Sequence, residues 1–168
     1  GLSMGGYGAI KFGLKSPFTF VFVGSMSGAF GITRFTEPDV PSSWHPSLKL
    51  FGALESDARK QNDLFELIKQ LPPDRVASLP FFYFDCGTED SPLIFPYNRE
   101  LAGLMSEKKI PHEYRQLPGD HSWGYWDRQI QEVLRVGAKF LGVRRVDAAA
   151  TRNKAVTRHH TTKRFAIA

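Results

Sequence analysis

Two short runs of apolar and aromatic residues constrain this chain more than any other feature: Thr19 to Gly24 and Pro80 to Cys86, each bounded by Pro, Gly or Ser. Runs of that size without polar alternation suit strands covered on both faces, as in a parallel sheet. Glu113 to Leu117 reads as a third, weaker strand. Between the runs lie stripes with helical spacing. Leu64, Leu67, Ile68 and Leu71 recur at i, i+3, i+4 and i+7 and stop before Pro72. Leu93, Tyr97, Leu101, Leu104 and Met105 form a second stripe, and Ile130, Val133, Leu134, Gly137, Phe140 and Leu141 a third that should end near Gly142. Met4 to Lys15 is a further helix, closed by Pro17. Strands separated by helical segments imply right-handed crossovers, hence an α/β fold with a parallel sheet and helices on both faces.

The 168 residues have room for one ordinary domain, and 42% hydrophobic residues suffice for a packed core. The longest apolar runs fall far short of the ~20 residues a membrane helix needs, so no membrane span is expected. A single cysteine, Cys86, excludes an internal disulfide framework and any multi-cysteine zinc site. Residues 144 to 168 hold seven of the 22 Lys and Arg but only one acid, Asp147. The net charge of +5 therefore belongs to this basic tail, expected to be disordered, and not to the body at 1 to 143. Basicity confined to a tail with a single aromatic, Phe165, ranks nucleic acid last among partners. Gly31 to Gly52 carries three prolines and no period, as a lid or binding loop would.

Three motifs carry chemistry. Gly1-Leu2-Ser3-Met4-Gly5 fits G-x-S-x-G, the sharp strand-to-helix turn that lifts a serine hydroxyl clear of a sheet. Its glycines, with Gly6 and Gly8, are expected where any side chain would collide. The Met4 N–H, free at the helix start, can hold a developing oxyanion. The second strand runs into Gly87-Thr88-Glu89-Asp90 and the third into Pro118-Gly119-Asp120-His121-Ser122-Trp123, placing a carboxylate and an imidazole on loops beyond strand C-termini. A hydroxyl is a poor nucleophile at neutral pH. An imidazole must take its proton, and a carboxylate must orient that imidazole and stabilise its cation. Ser3 is the expected nucleophile, His121 the general base and then acid, and Asp90 the orienting acid, preferred over Glu89 and Asp85. A serine in this position can also be only a helix cap. His45 is the rival histidine, and Trp44 and Trp123 are candidates for the substrate pocket.

The run from Gly1 to Ala9, with Cys86-Gly87-Thr88-Glu89-Asp90, Asn98, and Pro118 to Trp123 followed by Tyr125-Trp126-Asp127, resembles an esterase family of the α/β-hydrolases. That family includes S-formylglutathione hydrolase (esterase D), tributyrin esterase, feruloyl and acetyl xylan esterases and the mycolyltransferase-type antigens. The resemblance covers residues 1 to 142 and puts the family triad at Ser3, Asp90 and His121. It implies the C-terminal part of an α/β-hydrolase fold. The family's early strands, the strand entering the serine and the loop giving the second oxyanion donor have no counterpart here, so an open apolar strand edge and weak activity of these residues alone are expected. The expected function is hydrolysis of small or medium acyl esters, including thioesters, by a serine esterase. The expected partner is a small-molecule ester, with no cofactor and no metal. Acyl transfer through the same triad and a catalytically inactive binding module are the alternatives.

Overall fold

The computed structural model describes residues 1–142; the basic segment at 144–168 lies outside the described residues. Three parallel strands form the sheet in the order β1 (Phe22–Met26), β2 (Phe81–Gly87), β3 (His112–Leu117). Register pairs Phe22 with Phe81 and Met26 with Asp85, then Phe82 with His112 and Gly87 with Leu117. The helices are α1 (Ser3–Lys15), α2 (His45–Lys49), α3 (Asp57–Lys60), α4 (Leu64–Lys69), α5 (Phe95–Glu107) and α6 (Trp123–Phe140). The α/β reading with helices on both faces is what the chain adopts.

Side-chain alternation along the strands divides the core. Val23, Phe82 and Phe84 point into a cluster with Tyr7, Ile10 and Leu14 of α1 and Leu101 and Met105 of α5. Tyr83 and Met26 face the other way, toward Tyr125, Trp126, Val133 and Val136 of α6. Close approach of α6 to β1 depends on missing side chains: a Cβ on Gly24 would stand 2.5 Å from Val133, and one on Gly137 3.0 Å from Phe22.

Several expectations need correction. β1 lies at Phe22–Met26, not Thr19 to Gly24; Phe18, Phe20 and Val21 are exposed, while Ser25 is buried. In α6 the inward face is Tyr125, Trp126, Val133, Val136 and Gly137, whereas Ile130, Leu134, Phe140 and Leu141 of the expected stripe are exposed. Leu93 precedes α5. The aperiodic stretch after Gly31 holds short 3-10 turns and α2, whose one or two turns are too brief to register a period. Among the described residues the outer edge of β1 is met only by Gly1 and Leu2, the latter bridged in parallel with Met26. No helix among the described residues is long and apolar enough to cross a membrane.

Candidate active site

Ser3 opens α1 with φ +50, a left-handed backbone that costs a non-glycine residue about 1 kcal/mol or more. The chain pins that turn from both sides. The Ser3 carbonyl accepts from the Ala29 N–H at 3.0 Å, and the Gly6 N–H donates to the Leu2 carbonyl at 3.0 Å. Ala29 is placed by Asn98, fully buried on α5, whose amide donates to the Gly28 carbonyl at 2.8 Å and the Ile94 carbonyl at 3.0 Å. Only part of the glycine requirement is steric. A Cβ on Gly1 would stand 2.3 Å from the Gly5 carbonyl oxygen, and one on Gly6 2.4 Å from Ser25 Oγ. Gly5 and Gly8 have open space instead, which corrects the expectation that each would collide.

The three sequence candidates converge. His121 Nε2 lies 3.0 Å from Ser3 Oγ, across 118 positions of chain. His121 Nδ1 lies 3.0 and 3.1 Å from the two Asp90 oxygens. A nitrogen between two carboxylate oxygens carries the proton, so Nε2 keeps its lone pair and can accept from the serine hydroxyl. The Asp90 side chain is fully buried. Its Oδ1 also accepts from the Ser91 N–H at 2.7 Å, and Cys86 Sγ lies 3.7 Å from Oδ2. Burial pushes the Cys86 thiol up, with Asp90 adding to the effect; it stays an S–H that can donate. Glu89 is exposed, and Asp85 lies on the opposite sheet face from Cys86, bonded to Tyr125. His45 is held on the long loop by the Glu37 carbonyl at 3.1 Å and does not meet Ser3.

Backbone close approach brings the acid and histidine loops together. The Glu89 N–H donates to the Gly119 carbonyl at 2.9 Å, and the Thr88 N–H to the Leu117 carbonyl at 2.8 Å. A Cβ on Gly87 would stand 2.1 Å from that Gly119 oxygen. The His121 ring meets Trp126 edge to face at 4.9 Å, and Trp126 meets Trp123 in the same way at 5.3 Å. Trp123 is 74% exposed. Trp44 is half-buried and packs with Met4 against Ala29, Cys86 and Ile94. Met4 follows Ser3 in the first helical turn, where N–H groups lack intrahelical acceptors. The sequence reading missed the support roles of Ala29 and Asn98. A backbone donor leaves no residue-type signal, and a lone Asn on a helix has none beyond its burial.

A family model described as "Putative esterase" matches residues 1–136. The chain belongs to this esterase family. An acetyl esterase from Caldicellulosiruptor saccharolyticus is 31% identical to the esterase-family chain over 141 residues, which is 80% of this chain and 51% of that protein. Among solved structures, a ferulic acid esterase matches at 25% identity with a TM-score of 0.65, covering 83% of this chain and 49% of its own. The substrate-bound fluorophosphonate-binding serine hydrolase F from Staphylococcus aureus matches at 26% identity and a TM-score of 0.62, covering 80% and 51%. The esterase-family chain thus spans about half the length of the relatives it matches.

Proposed function

We propose that this chain carries the catalytic residues of a serine carboxylic-ester hydrolase acting on small or medium acyl esters, thioesters included. The observation that carries the reading is the Ser3 Oγ to His121 Nε2 distance of 3.0 Å with His121 Nδ1 on Asp90. His121 takes the Ser3 proton as Oγ attacks the ester carbonyl carbon, and Asp90 stabilises the resulting imidazolium. The Met4 N–H receives the oxyanion. His121 then protonates the departing alkoxide or thiolate, leaving an acyl group on Ser3. Water, deprotonated by His121, attacks that acyl group, releases the carboxylic acid and returns the proton to Ser3.

Within the chain we assign one oxyanion donor. Removal of a donor from such a hole typically costs about 100-fold or more in turnover.

A fluorophosphonate probe and p-nitrophenyl acetate test the reading. The expected result is probe attachment at Ser3 with nitrophenol release, both lost in Ser3→Ala, where turnover falls by about 10⁴-fold or more. Attachment elsewhere, or equal hydrolysis by Ser3→Ala, would sink it. Adding a sugar alcohol to the assay separates hydrolysis from acyl transfer, which would appear as an acylated alcohol.

A further inference from the structure

The mechanism leaves the fully buried Asp85 unused. It sits on β2, and its side chain points away from the Ser3 side of the sheet toward α6. The Tyr125 hydroxyl donates to Asp85 Oδ1 at 2.8 Å. Neither Asp85 Oδ2 nor the Tyr83 hydroxyl has a hydrogen-bond partner among the described residues. Burial pushes the Asp85 carboxyl up to about 6, against smaller opposing effects of the Tyr125 hydrogen bond and the Arg115 charge. A carboxyl so placed is costly to the fold, and an apolar residue of similar size would be tolerated as well or better. Stability alone does not account for its presence there.

The reason lies above it. Tyr125 is fully buried, and its ring is the floor of the histidine turn: a Cβ on Gly119 would stand 2.6 Å from the Tyr125 ring, and Gly119 itself has φ +140. The Gly119 carbonyl in turn holds the acid loop through the Glu89 N–H. The neighbouring Trp126 presents its ring to His121. The N–H groups of Tyr125 and Trp126 both donate to the Ser122 carbonyl, at 3.1 Å each, so the two aromatics move with the residue that follows His121.

We propose that Asp85 is a positioning residue: its carboxyl anchors the Tyr125 hydroxyl, and Tyr125, packed under Gly119, fixes the turn that holds His121 against Ser3 and Asp90. A phenol ring alone can slide along a sheet face, whereas a ring tethered at its far end by a hydrogen bond cannot. The tether sets the height of the floor, and the height of the floor sets where the imidazole stands. The labelling part of the test below rests on the esterase reading; the magnetic-resonance part does not.

The test uses the full 168-residue chain. Asp85→Leu keeps the branched shape and removes the acceptor. Stabilisation without positioning predicts unchanged chemistry in this variant. The proposal predicts that fluorophosphonate labelling of Ser3 slows about tenfold and that the low-field proton resonance of His121 Nδ1–H shifts or broadens, with the melting midpoint held or raised. Asp85→Asn, whose amide oxygen still accepts from Tyr125, is expected to restore both readouts. If Asp85→Leu does not fold, Tyr125→Phe carries the same test, since it deletes only the hydroxyl. Labelling at about the wild-type rate with an unmoved resonance, in whichever of the two variants folds, overturns the proposal. A wild-type chain that the probe leaves unlabelled counts against the esterase reading instead, and the resonance alone then decides for or against Asp85.

Discussion

The rim that carries Ser3, Asp90 and His121 and the connection from Gly31 to Asp63 both lie outside the strands, yet they are held by different means. At the rim most of the bonds between segments run backbone to backbone, from Ala29 to Ser3, Glu89 to Gly119 and Thr88 to Leu117, with glycines where chains nearly touch and the Asn98 amide on the Gly28 carbonyl. In the connection the ties are buried charged side chains. Arg59, 6% exposed, donates from Nε to the Gly52 carbonyl at 3.0 Å and from Nη1 to the carbonyls of Thr33 and Phe35. Asp63 accepts from Thr33 Oγ1 at 3.0 Å and Arg34 Nε at 3.1 Å while its other oxygen caps α4. Backbone contacts fix atoms to a fraction of an ångström, and long side chains fix a loop only as a body. Chemistry needs the first kind of precision.

That contrast can be broken by substitution. The largest effect is expected at the rim. Gly87→Ala puts a methyl group against the Gly119 carbonyl, so the acid and histidine loops must part, and labelling of Ser3 by a fluorophosphonate should slow about 100-fold. A rate near wild type would show that the loops can separate without moving His121. Next comes Arg59→Met, which strands three carbonyls: urea unfolding should report a loss of about 2 kcal/mol, with Ser3 labelling per folded molecule little changed. A matching collapse of labelling would erase the distinction between the two regions.

The smallest effect concerns Asp85. Burial raises its carboxyl from 3.8 to about 6, so it favours the fold while protonated, and that contribution is lost as pH climbs through about 6. Asp85→Asn does not titrate. Its stability relative to the wild type should rise by roughly 1 kcal/mol between about pH 5 and pH 8. Parallel pH profiles of the two proteins in denaturant titrations would refute that assignment.

Much of the rim could be read from residue types, because the proposed nucleophilic catalysis restricts them severely: a serine between glycines, an acid after Cys86-Gly87 and a histidine after Pro118-Gly119 leave few alternatives. Helices with two or more turns were legible for a similar reason, since burial of one face imposes a period. What escaped was set by tertiary packing. Phe20 and Val21 look like strand residues but lie outside β1, and buried Ser25 looks like a boundary but lies inside it. The direction of α6 turns on Val133 and Val136 facing β1 past Gly24, a fit between surfaces that no window of one segment contains. Asp85 reads only as a rival triad acid, because its bond to Tyr125 joins residues 40 positions apart.

The left-handed conformation of Ser3 has an evolutionary consequence. A glycine there would shed the torsional penalty and make the protein sturdier, at the cost of the hydroxyl that His121 touches. Lineages in which the proposed ester chemistry ceased to matter would be drawn toward that replacement, so the residue standing at Ser3 in a descendant records whether selection still acts on it.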